Sequence, residues 1–165
     1  MIRLASEKDV KSILEIIKDA KAFLKENNVN QWQDNYPNED TIINDINKKQ
    51  LYVYEEKEVF AFIAIIEGIE ETYNIIYDGK WLNDDSYLTI HRIAVKKEAR
   101  HCNIASKLFM YAIEYANKRN IKSIRVDTHR DNIVMQKLIL KHDFKKCGYI
   151  YLKDHSPRLA YERLV

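Results

Sequence analysis

The residues best suited to chemistry lie between Tyr87 and Ala105. A β-branched run, Tyr87-Leu-Thr-Ile-His-Arg-Ile-Ala-Val95, carries an imidazole and a guanidinium. A short charged turn follows, and Arg100-His-Cys-Asn-Ile-Ala105 opens a long amphipathic pattern. A strand that feeds a helix start presents backbone N–H groups with no intrahelical partner, and the aligned peptide dipoles favour negative charge there. That is phosphate-binding chemistry, so the pattern implies a phosphate-bearing cofactor. Histidine ordinarily titrates near neutrality, which makes His91 the candidate proton carrier. Cys102, at the helix start, is read as a filler because no His–Asp pattern accompanies it.

The elements that must position these groups follow from periodicity. Met1–Ala5 reads as a short strand. Ser6-Glu-Lys-Asp9 reads as a capping box, ahead of apolar residues at 10, 13, 14, 17, 20, 23 and 24. Residues 29–38 form a loop with Trp32 and Tyr36, and Asn38 or Asp40 caps a second helix. Residues 51–54 and 59–67 read as a hairpin around a charged turn. Residues 68–85 are irregular and rich in Tyr, Trp and Asp. After the strong strand and the helix from Ile104 come a strand at 121–127 and a helix capped by Asp131 or Asn132. Strands at 144–152 and 158–165 close the chain. The order β-α-α-β-β-β-α-β-α-β-β predicts one mixed α/β domain over residues 1–165, its sheet covered by helices on both faces.

Composition bounds the partners. The chain has 165 residues, 27 basic and 25 acidic side chains, and a formal charge of +2. That balance argues against nucleic-acid binding through bulk charge. No apolar run is long enough to span a bilayer and no signal peptide is read, so no membrane partner is expected. Cys102 and Cys147 form no metal or redox motif, which predicts a reducing cytoplasm and no metal.

On these residues the chain resembles the GCN5-related N-acetyltransferase (GNAT) superfamily. The family's Arg/Gln-x-x-Gly-x-Gly/Ala loop reads Arg100-His-Cys-Asn103-Ile-Ala105 here, with asparagine at a glycine position. Asn is one of the few other residues that tolerates the left-handed region. The downstream family pattern, Asn-x-x-Ala-x-x-x-Tyr then Gly-Phe, is matched by Asn132 and Phe144. Met135 takes the small-residue place, Ile139 the tyrosine place and Asp143 the glycine place. Asp127-Thr-His129 and His91-Arg92 resemble one branch of the family.

The resemblance implies a bacterial, acetyl-CoA-dependent transferase acting on a primary amine of a small molecule, peptide or protein by direct transfer in a ternary complex. It implies that Ile93, Ala94, Val95 and the loop Arg100, His101, Cys102, Asn103, Ile104, Ala105 and Ser106 hold the cofactor, with Asn132, Met135 and Lys141. Pantetheine would fill a gap where the strong strand and the 121–127 strand diverge. The Ile93 or Ala94 amide would support the developing oxyanion. Thr89 stands at the family's glutamate position, so His91 is read as base, or else as a hydrogen-bonded core histidine. Tyr149 is the substitute acid. Trp32, Tyr36, Tyr77 and Trp81 line an acceptor pocket or cap the core, and His129 contacts substrate or pairs with Asp127 across the sheet. Asn132 is a helix cap, a cofactor contact, or both. The alternative function is a non-catalytic acyl-CoA-binding module. The last strand is expected to be available for pairing with a second copy, which would make a homodimer.

Overall fold

The computed structural model describes residues 1–165. The strands are β1 (Ile2–Leu4), β2 (Leu51–Glu55), β3 (Val59–Glu67), β4 (Tyr87–Val95), β5 (Ser123–Thr128), β6 (Lys145–Tyr151) and β7 (Pro157–Leu164). The helices are α1 (Val10–Glu26), α2 (Glu39–Asn47), α3 (Ile104–Lys118) and α4 (Ile133–Lys141). The expected order is the observed one. The strands form one sheet in the order β1-β2-β3-β4-β5-β7-β6. β4 and β5 run parallel, while the β1–β2, β2–β3, β5–β7 and β6–β7 pairs are antiparallel.

The chain contains two compact units, one of Met1–Ile65 with His91–Tyr111, the other of Ile66–Ile90 with Ala112–Val165. In the first, the Ser6–Asp9 capping box starts the chain into α1. The apolar face of α1 buries Ile13, Ile16 and Ile17 with Ile42, Leu51, Val53, Phe62 and Ala94. Each of these side chains larger than alanine is worth about 1.5–3 kcal/mol when removed from water. α2 begins where Asn38 and Thr41 exchange hydrogen bonds, Thr41 N–H to Asn38 Oδ1 at 3.1 Å and Asn38 N–H to Thr41 Oγ1 at 3.3 Å.

In the second unit, Tyr73, Tyr87, Ile150 and Ala160 form a core against which Trp81 packs. A buried ion pair crosses it, Arg125 Nε to Glu162 Oε2 at 2.8 Å. The Arg125 guanidinium lies between the rings of Tyr87 and Trp81, 4.0 and 4.2 Å from their centroids. Glu162 also accepts from the Leu82 amide at 2.6 Å, and Trp81 Nε1–H donates to the Tyr73 carbonyl at 2.9 Å. These contacts fasten the irregular 68–85 segment, so Trp81 caps the core. The same segment reaches β6 through a bridge between Tyr77 and Tyr149. Gly148 makes this approach possible: a Cβ there would run into the Tyr77 carbonyl oxygen.

One expectation is corrected here. β7 pairs with β5 on one side and β6 on the other, so the last strand is interior and has no edge to offer a second copy.

Candidate active site

β4 leads through a 3₁₀ turn at Lys97–Ala99 and a turn at residues 101–103 into α3. Asn103, at the glycine position of the loop, has φ 58°, and Asp143, at the second glycine position, has φ 62°. Both keep the left-handed backbone that glycine ordinarily supplies. Lys107 N–H donates to the Asn103 carbonyl at 3.2 Å, so the Ile104 and Ala105 amides stand ahead of the α3 ladder. Ile104 and Ser106 are buried, while His101, Cys102 and Asn103 are exposed. A set of main-chain donors at the start of a 15-residue helix fits an anion. The Arg100 guanidinium is turned to α1. Its Nη2 donates to the Asp19 carbonyl at 3.2 Å and it stacks on Phe23 at 4.5 Å.

β4 is irregular at one point. Arg92, in mid-strand, has φ 44°. A non-glycine residue there is strained, and such strain persists only where its surroundings fix it. The fixing groups are on the same unit. Arg92 Nε and Nη2 bind the two oxygens of Asp45 at 2.7 and 2.8 Å, and Nη1 donates to the Tyr36 hydroxyl at 2.7 Å. The Asp45 and Arg92 side chains are 1 % and 10 % exposed, and Gln50 adds a donor to Asp45 at 2.7 Å. Tyr36 is thereby brought to β4, whereas Trp32 packs against the core of the unit. His91, Ile93 and Val95 are half-buried, and Ala94 is buried.

In the other unit, the parallel ladder of β4 and β5 runs from Tyr87↔Ser123 to Thr89↔Arg125. Thr89 is 1 % exposed and its hydroxyl has no partner. Asn132 caps α4, accepting from the Met135 amide at 3.2 Å. Met135 is half-buried, Lys141 is exposed, and Ile139, at the family tyrosine position, is fully buried. Tyr149 stacks on Tyr77 with centroids 5.5 Å apart and meets Tyr151 edge-on. Its hydrogen bond with Tyr151, then burial, push its pKa above the usual tyrosine value. Because Ile150 points into the Tyr73–Tyr87 core, alternation turns Tyr149 to the opposite face. His129 is half-buried, and its Nδ1 accepts from the Asp131 amide at 3.0 Å.

A model of the acetyltransferase (GNAT) family matches residues 12–144. This chain belongs to the GNAT family. Among solved structures, a GNAT-family acetyltransferase from Streptococcus agalactiae 2603 is 34 % identical to this GNAT chain. The match covers 100 % of this chain and 95 % of that one, with a TM-score of 0.89. An N-acetyltransferase from Staphylococcus aureus Mu50 shares the fold at 24 % identity, covering 99 % and 97 % of the two chains with a TM-score of 0.71. A ribosomal-protein-alanine N-acetyltransferase from Brucella melitensis shares it at 18 % identity, covering 100 % and 99 % with a TM-score of 0.71. No curated protein matches the chain. GNAT proteins are acetyltransferases that use acetyl-CoA as co-substrate. No helix of this GNAT chain is long and apolar enough to cross a membrane.

Sequence reasoning missed the buried Asp45–Arg92 pair and the buried Arg158. A signal for the latter was present in β7. Ala160 at the centre of a strand marks an inward face, and alternation then puts Arg158 and Glu162 on that face too.

Proposed function

We propose that this chain is an N-acetyltransferase that moves an acetyl group from acetyl-CoA directly to a primary amine in a ternary complex, with residues 1–165 acting as one domain. The observation that carries the reading is Asn103 at φ 58° immediately ahead of α3, which keeps the family's phosphate loop in shape without its glycine. Bound acetyl-CoA supplies the acetyl group as a thioester. The Ile104 and Ala105 amides receive its pyrophosphate, with Asn132, Met135 and Lys141 along the arm. The amide of Ile93 or Ala94 serves the carbonyl oxygen as charge develops on it. His91 takes the proton that the attacking nitrogen must lose, a role typically worth roughly 10²–10⁴-fold in rate. The N–C bond forms as the C–S bond breaks. Of the two protons lost by the ammonium, one goes to solvent and one to the departing thiolate. Holding amine and thioester together supplies much of the remaining rate. A bacterial cytoplasm is the proposed setting, supported by unpaired Cys102 and Cys147 and by bacterial relatives.

Buried Ile139 at the tyrosine position, and Thr89 at the glutamate position, favour a second reading, an acyl-CoA-binding module without turnover. The deciding experiment follows thiol release with acetyl-CoA and a panel of amines, beside calorimetry with CoA. Turnover that falls in H91A supports the enzyme. Tight binding without turnover supports the module, and neither binding nor turnover overturns both.

A further inference from the structure

One group of polar side chains is left unused, in the unit formed by Ile66–Ile90 and Ala112–Val165. Asp127, at the end of β5, accepts the Tyr73 hydroxyl at 2.6 Å on Oδ2, and its Oδ1 has no partner. Tyr73 is fully buried, and burial, with Asp127 beside it, raises its pKa well above the usual value. It therefore keeps its proton and fixes the carboxylate. The β5–β7 register sets Asp127 opposite Ala160 and Thr128 opposite Leu159; carried one residue further it puts His129 level with Arg158, whose charge acts on the imidazole.

Arg158 is the anomaly. It is only 9 % exposed, yet its guanidinium makes a single hydrogen bond, from Nη1 to the Pro157 carbonyl at 2.9 Å. No carboxylate is within ion-pair reach. Asp127 and Asp154 act on it only through space, and burial pulls its pKa down. A guanidinium carries five N–H donors in a planar fork, and burying such donors unpaired is costly. His129 presents another donor. Its Nδ1 accepts from the Asp131 amide, so Nε2 holds the proton, and burial and then Arg158 lower its pKa. One acceptor and two sets of donors thus lie side by side.

We propose that Arg158 is the carboxylate anchor of the acceptor site, so that the amines this enzyme acetylates carry a carboxylate. Arg158 and His129 Nε2–H bind the carboxylate, and Asp127 Oδ1 accepts from the ammonium end. This rests on the amine-acetylation reading above. A guanidinium fork matches a carboxylate bidentately. A plain alkylamine would satisfy Asp127 and leave Arg158 unpaired, and sites built this way reject the analogue lacking the partner group.

The test compares glycine, β-alanine, 4-aminobutyrate and L-phenylalanine with methylamine, ethylamine, propylamine and phenethylamine. Thiol release is followed in wild type, R158Q and R158K, each checked for folding by circular dichroism. At least one acid should exceed its amine in kcat/KM by roughly 10- to 150-fold, the span of a charge-assisted pair. That ratio should fall toward one in R158Q and only partly in R158K. Equal use of acids and amines, or a ratio unchanged in R158Q, overturns the anchor while leaving acetylation standing. If no amine turns over, calorimetry of the same acids and amines decides. Acid binding lost in R158Q upholds the anchor without catalysis, and no acid binding refutes it.

Discussion

Asn103 and Asp143 occupy the two backbone positions where the family uses glycine, with φ 58° and 62°. Asn and Asp tolerate this region because their short polar side chains can hydrogen-bond the local backbone, whereas a β-branched residue is a genuine outlier. N103G should therefore keep both CoA affinity and melting temperature. N103V should lose about 1–3 kcal/mol of stability and bind CoA more weakly. Equal calorimetric and melting behaviour of the two variants would count against a conformational role. Arg92 carries strain of the same kind, and its buried partner is Asp45. Removing one member of a buried pair costs about 3–5 kcal/mol, while removing both with apolar replacements is far milder. D45A should thus melt well below wild type and D45L/R92M should recover most of the loss. If the double variant is as unstable as D45A, the pairing is not what the fold depends on. Neither Asp45 nor Arg158 stood out in the sequence, since a lone charge in a helix or strand is most often solvated.

Between elements, Arg3 does the joining in the first unit. From β1 its Nη1 meets Asp9, at the start of α1, at 2.8 Å, and its Nε meets Glu55, at the end of β2, at 2.8 Å. Asp9 also accepts from the Ser6 amide. The Arg3 guanidinium beside it holds the Asp9 carboxyl below its ordinary value of 3.8. A depressed folded-state pKa contributes stability that is fully present above 3.8 and is lost as pH falls through the folded value. Urea unfolding of wild type and D9N should differ by about 1–3 kcal/mol at neutral pH, the worth of hydrogen bonds to a charged group. That gap should close as pH drops below 3.8, and a gap constant with pH would refute the link. The elements themselves were legible where one periodicity dominated. β3 and β4 have the bounds that their apolar runs predict, and the Ser6, Asn38 and Asn132 caps are where capping chemistry puts them. Placement within the sheet was not, because pairing partners leave no local trace. The last strand read as an edge is enclosed by β5 and β6. The φ of 44° at Arg92 breaks the alternation that a straight strand would give residues 93–95.

At the scale of the whole molecule, ligand binding and folding are one equilibrium. A ligand that binds the folded chain and not the unfolded one stabilises it by RT ln(1 + [L]/Kd), about 2.7 kcal/mol at 100 times Kd. For a chain of 165 residues, 1 kcal/mol moves the melting temperature by roughly 2–4 °C. CoA at that excess should therefore raise it by about 5–11 °C. The formal charge of +2, from 27 basic and 25 acidic side chains, provides no bulk attraction for a polyanion. An equal concentration of inorganic pyrophosphate should give a much smaller shift, because it can use the α3 amides but has no pantetheine arm. R100A separates the two contributions of that loop. Its guanidinium packs on Phe23 and binds the Asp19 carbonyl, so the variant should melt lower without ligand while keeping most of the CoA-induced rise. If R100A abolished the rise and left the unliganded melting temperature untouched, Arg100 would be a phosphate contact and its docking on α1 incidental.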